Sequence, residues 1–152
     1  MNHPADHMDV GSEWMVDARG CDAERLADLD RMRALCERII GELELKVIGD
    51  GQWHKFPAPG GVTGLYLLSE SHLACHTYPE IGVATFNLYC CRPRPHWPWE
   101  ARLAETLGAA GVTIRFISRN AIAEANEGDA TAGRRAIERS TANPAALEVA
   151  NS

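Results

Sequence analysis

Between Val62 and Cys91 three runs of strand character follow one another with almost nothing in between: Thr63–Glu70, Leu73–Tyr78 and Gly82–Cys91. The gaps hold two and three residues, whereas a parallel crossover takes a dozen or more. These strands must therefore pair antiparallel, in chain order. In the last of them Val83, Thr85, Asn87 and Tyr89 alternate with Ala84, Phe86, Leu88 and Cys90, the period of two that buries one sheet face.

The flanking segments supply what covers that face. Glu13–Ala18 reads as a strand, and Asp22 as an N-cap with Glu24 in the first turn. A helix then runs to about Leu43, with Leu26, Leu29, Met32, Cys36, Ile39, Ile40 and Leu43 three or four apart, and Arg25, Asp28, Arg31 and Glu37 on the opposite side. Leu45–Ile48 is a strand candidate, Gly49-Asp50-Gly51 a turn, and Trp53–Gly61 is in part irregular. Pro93, Pro95 and Pro98 forbid regular pairing, and Pro98 suits a helix start. Trp99, Leu103 and Leu107 share one face of that helix, Gly111 is expected to stop it, and Val112–Ser118 is a last strand. The expected order is β-α-β-β-β-β-α-β: an α+β, two-layer α/β sandwich with a largely antiparallel sheet and helices on one face. Residues 1–11 read as a disordered leader, 12–119 as the domain, and 120–152 as an Ala-rich tail or weak helix.

Composition narrows the function classes. A chain of 152 residues suits one compact domain. Its net charge of −6 leaves no basic stripe for a nucleic-acid backbone. No apolar run approaches the ~20 residues that span a bilayer, and the start MNHPADHMDV has no signal-peptide core. Five cysteines, an odd number without a CxxC pair, fit reduced thiols and a cytoplasmic protein.

The polar residues concentrate in the same region, Val62–Cys91: Thr63, Ser69, Glu70, Ser71, His72, Cys75, His76, Tyr78 and Glu80. Buried polar groups need partners, so that density points to an active site. A serine hydrolase would need a G-x-S-x-G elbow, which is absent. A metal shared by His72 and His76 is disfavoured, because four strand residues separate their backbones by about 13 Å.

The run SESHLACHTYPE (Ser69–Glu80), with HKF (His54–Phe56) and GVTG (Gly61–Gly64) upstream and Cys91 twenty residues after Ser71, resembles the self-processing signature of prokaryotic S-adenosylmethionine decarboxylases. The resemblance covers roughly residues 13–119. It implies self-cleavage between Glu70 and Ser71 into 1–70 and 71–152, which turns Ser71 into a pyruvoyl group. Such a group is an electron sink for the carbanion that decarboxylation leaves. The Ser71 hydroxyl attacks the Glu70 carbonyl, the amide becomes an ester, and elimination and hydrolysis follow. By resemblance Thr63 and His76 assist processing, and Cys91 protonates the carbanion formed from a Schiff-base-bound substrate. Glu80 contacts ribose, Phe56 stacks on purine, and Tyr78 is a further binding candidate. The implied assembly is a homodimer of cleaved pairs with sites near the interface, and the implied product feeds spermidine synthesis.

Each candidate also has an ordinary structural reading. Ser71 reads as a strand-end serine, His76 and His72 as satisfied core histidines, Cys91 as a small buried hydrophobe, and Phe56 and Tyr78 as packing groups. Cys21, Cys36 and Cys75 read as structural, and Trp97 and Trp99 as core or interface. The chain departs from the family pattern in the paired Gly60-Gly61, in Asn87 where aspartate is common, and in the rigid, basic segment CRPRPHWPWE after Cys91. Those departures keep open a basic amino acid, arginine or ornithine, as substrate, with a non-cleaving paralogue as the third reading.

Overall fold

The computed structural model describes residues 9–120. The leader up to residue 8 and the tail from residue 121 lie outside the described residues. Six strands form one sheet in the order β2-β3-β4-β5-β1-β6, and every pairing is antiparallel. They are β1 (Asp9–Arg19), β2 (Gln52–Lys55), β3 (Val62–Leu68), β4 (Ser71–Tyr78), β5 (Val83–Cys90) and β6 (Gly111–Asn120). The helices are α1 (Ala23–Ala27), α2 (Leu29–Glu42) and α3 (Trp99–Leu107), with a 3-10 turn at Pro79–Ile81. The α+β sandwich expected from sequence is the observed architecture.

Alternation decides which sheet face is buried. Trp14, Val16 and Ala18 on β1, Leu73 and Cys75 on β4, and Phe86, Leu88 and Cys90 on β5 point to one side. There they meet Met32, Leu35, Cys36 and Ile39 of α2 and Trp99, Leu103 and Leu107 of α3, all buried. Trp97 and Trp99 belong to this core, edge to face at 4.9 Å. All five cysteines are free thiols.

Several expected boundaries are corrected. Strand β1 begins at Asp9, so three residues of the expected leader lie in the sheet, and Asp9 and Gly11 pair with β6. The register shifts at Gly11, whose φ is 151° and where a Cβ would fall 2.6 Å from the Tyr89 hydroxyl, so no side chain fits. The single helix from Asp22 to Leu43 is two helices, because Asp28 takes an extended conformation and caps α2, accepting the Arg31 N–H at 3.0 Å. Leu45–Ile48 contributes only a bridge from Val47 to Leu68, and the edge strand is instead Gln52–Lys55, which overlaps the start of the stretch read as partly irregular. Helix α3 ends at Gly108, left-handed with φ 70°, and Gly111 opens β6.

Candidate active site

The Glu70–Ser71 bond lies where a hairpin turn becomes a strand. Ser69 and Glu70 connect β3 to β4, and Ser71 opens β4 opposite Leu68 on one side and Cys90 on the other. The turn is held from two directions. Ser69 donates its N–H to the Lys46 carbonyl at 2.8 Å, and the Glu70 carbonyl accepts the Cys91 N–H at 2.9 Å. A backbone donor thus polarises the Glu70 carbonyl, the arrangement that stabilises charge developing on an acyl oxygen.

Register sets what Ser71 touches. Its side chain lies on the helix-covered face, opposite the buried Cys90. Burial pushes the Cys90 thiol up, and Ser71 offsets part of the rise, so Cys90 stays protonated at neutral pH. Cys91, one residue past the strand, is exposed and borders a separate pocket of about 260 Å³ with Ser12 and Phe116. Ser71 itself lines a cleft of about 210 Å³ with Glu44, Lys46, Glu70, Arg92 and Arg94. Both arginines pair with Glu70, Arg92 at 3.0 Å and Arg94 at 3.5 Å.

The remaining candidates gather at the other end of β4. Thr63 and His76 face each other across β3 and β4, with Oγ1 and Nδ1 3.0 Å apart. Tyr78 closes β4 and Glu80 sits in the 3-10 turn, both exposed. Phe56 follows β2 and is 49% exposed, packed edge-on to His54 at 4.5 Å. The Phe56 N–H reaches the Gly61 carbonyl at 2.8 Å, which fixes Phe56 to the start of β3. His76 is five residues along β4 from Ser71, roughly 16 Å of extended backbone, and an odd separation puts its ring on the opposite face. One chain therefore brings Glu70, Ser71 and Cys91 together and, separately, Phe56, Thr63, His76, Tyr78 and Glu80.

His72 shares the outer face with His76 but stacks on Tyr89, centroids 5.6 Å apart and planes at 15°. No cluster of metal-ligating side chains occurs among the described residues. Sequence reasoning missed Cys90 as the neighbour of Ser71 and both arginines on Glu70. The first follows once Tyr78 is paired with Val83 across the four-residue turn Pro79–Gly82. The second had a signal in Arg-Pro-Arg-Pro, since a residue before proline is held extended and alternate extended residues share a side.

The sequence profile of the S-adenosylmethionine decarboxylase family matches residues 12–120. The chain belongs to this family. S-adenosylmethionine decarboxylase proenzymes resemble it closely: that of Pelotomaculum thermopropionicum is 33% identical over 117 residues, covering 76% of this chain and 90% of the relative. That of Caldicellulosiruptor saccharolyticus is 36% identical over 115 residues, covering 72% and 88%. The solved adenosylmethionine decarboxylase of Aquifex aeolicus superposes with a TM-score of 0.63 at 26% identity, covering 76% of this chain and 95% of that one. The family match takes in β2 to β6 whole and all of β1 beyond its first three residues. Both groups of site residues therefore lie inside the part that this S-adenosylmethionine decarboxylase family member shares with its relatives.

Proposed function

We propose that this member of the S-adenosylmethionine decarboxylase family cleaves itself between Glu70 and Ser71 and decarboxylates S-adenosylmethionine. The product would be an aminopropyl donor for spermidine synthesis. The observation that carries the reading is the Glu70 carbonyl held by the Cys91 N–H at 2.9 Å, beside a hydroxyl on the next residue. Attack by Ser71 Oγ on that carbonyl turns the amide into an ester, and the Cys91 N–H stabilises the oxyanion on the way. These residues fit a pyruvoyl group at position 71: a hydroxyl to be converted, a polarised acyl carbon, and a cleft of about 210 Å³ beside them. Once formed, the group supplies the electron sink that decarboxylation needs.

Cys91 is our candidate for the proton donor in turnover, because its thiol is exposed and its N–H sits on the Glu70 carbonyl. The exposed ring of Phe56 offers a face to a purine or to a sulfonium, worth about 0.5–2 kcal/mol. Glu80 and Tyr78 offer polar groups at the same end of the sheet. Free thiols throughout the described residues fit a reducing, cytoplasmic setting.

The separation along β4 argues for two copies. The Thr63–His76 pair sits on the sheet face without helices, where Leu65, Leu67 and Ile117 are exposed. A two-fold dimer closing that face would reverse β4 of one copy over the other and bring one copy's His76 end towards the other's Ser71 end. We therefore assign Thr63 and His76 to the processing of the neighbouring chain.

The test is intact mass spectrometry of purified protein incubated with S-adenosylmethionine, arginine or ornithine and a mild reductant. A 71–152 fragment, lighter than its serine-headed form by one ammonia and trapping S-adenosylmethionine, is the expected result. Ser71→Ala should give one uncut, inactive chain. An active Ser71→Ala protein would overturn the pyruvoyl reading, and an adduct with arginine or ornithine would move the substrate.

A further inference from the structure

We infer that Arg94, assisted by Arg92, is a positioning residue for self-cleavage: it orients Glu70 and compensates the carboxylate that Glu70 becomes when the chain parts. The inference rests on the cleavage reading above and assigns a function to the segment after Cys91, which departs from the family pattern.

Arg92 Nε lies 3.0 Å from Glu70 Oε1, and Arg94 Nη2 lies 3.5 Å from Oε2. The two guanidinium groups thus hold both oxygens of one side chain. Their settings differ. The Arg92 side chain is 73% exposed, so water and salt weaken its pair, whereas that of Arg94 is 26% exposed and its Nε is buried without a partner. Arg94 therefore keeps one donor in reserve beside the scissile bond. Pro93 and Pro95 fix the backbone on either side of it, which limits the entropy lost in holding that pose.

The cleft at this bond is lined by three cations, Lys46, Arg92 and Arg94, against two carboxylates, Glu44 and Glu70. It carries one positive charge in excess while the chain is whole. Cleavage creates the missing anion. In the ester, Glu70 is joined to Ser71 Oγ, and the amine of residue 71 is free. An imidazole, His76 of a second copy in the reading above, takes the Cα proton of residue 71. Those electrons form the Cα–Cβ double bond, the Cβ–Oγ bond breaks, and the bonding pair leaves on oxygen as the Glu70 α-carboxylate. The charge that departs in this step is matched by a cation already in place, with a free N–H to meet it.

The experiment follows full-length chain from synthesis, by intact mass with and without hydroxylamine. Hydroxylamine splits an ester at residue 70 into a Glu70 hydroxamate and a Ser71-headed fragment, and leaves an amide intact. Arg94→Ala should slow the appearance of the deaminated 71–152 fragment about 10- to 100-fold, the loss of one charge-assisted contact. The chain that accumulates should be hydroxylamine-sensitive. Arg94→Lys should restore most of the rate, and Arg92→Ala should cost less. Arg94→Gln, which keeps the stem without the charge, serves if Arg94→Ala does not fold. Wild-type speed in Arg94→Gln, or accumulation of hydroxylamine-resistant chain in both variants, would overturn the role in carboxylate departure while leaving cleavage intact. A wild-type chain that stays uncut and resistant would instead bring down the cleavage reading itself.

Discussion

The two ends of β4 are built in different ways. At Ser71 the strand leaves a two-residue turn tied down by backbone bonds to Lys46 and Cys91 and by two arginines on Glu70. Its reactive side chain points towards the helices, into a polar cleft beside the buried Cys90. At His76 the ring pairs, among the described residues, with Thr63 and looks out from the bare face of the sheet. Beneath it Thr77 is buried, accepting the Val62 N–H and donating to the Leu26 carbonyl, each at 2.8 Å. One end holds a polarised carbonyl beside a hydroxyl, and the other presents groups outward. A single strand carries both, roughly 16 Å apart, which is the separation behind our proposal that the two ends serve different copies.

The sharpest way to break that comparison is to separate the ends genetically. Ser71→Ala and His76→Ala chains, each made alone, should both lack cleaved, active enzyme. Co-expressed, random pairing puts half the chains in mixed dimers, each with one intact site, so activity should return to about a quarter of wild type. Complete inactivity of the mixture, with mixed dimers verified by mass, would mean that both ends act within one chain.

The adjacent cysteines sharpen the same point at smaller scale. Cys91→Ala should leave cleavage at Glu70–Ser71 unaffected and lower kcat by about 10²–10⁴, the usual loss of a general acid. Cys90→Ala should cleave and turn over with a kcat near that of wild type, because its side chain is buried in the core under the helices. Reversal of the two phenotypes, read by steady-state kinetics on fully cleaved protein, would transfer the proton-donor role to Cys90.

Much of this was legible in the residues. Alternation along Val83–Cys90 and the short gaps around β4 dictated antiparallel pairing and a one-sided core. The motif Ser69–Glu80 also pointed to the family before any geometry was known. What escaped depended on local chemistry or on distance in the chain. Asp28 broke a helix that apolar spacing alone would continue, because a cap bond to Arg31 outweighs periodicity. Gln52–Lys55 gained strand character from the Leu65–Val62 edge it joins, which no local pattern announces. The spread of the site along β4 was implicit in counting from Ser71 to His76. The motif's compactness in sequence concealed it, since five residues are close in a turn and distant in a strand.

The smallest effect concerns what holds the His76 end in place. Thr77 sits under the outward-facing pair, and its hydroxyl joins β4 to β3 through Val62 and to α1 through Leu26. Both partners belong to fully buried residues, so neither backbone group has water as a substitute. Thr77→Val keeps the shape and removes the hydroxyl, leaving those groups short of a partner at a cost of about 1–3 kcal/mol. The urea midpoint should fall accordingly, and Thr77→Ser, which retains the hydroxyl, should recover most of the loss. Because the damage is to the frame and not to the reacting groups, Thr77→Val chains that fold should still cleave. A Thr77→Val protein with unchanged stability but no cleavage would show that the hydroxyl takes part in the chemistry, and the division between a reactive end and a presenting end would then have to be redrawn.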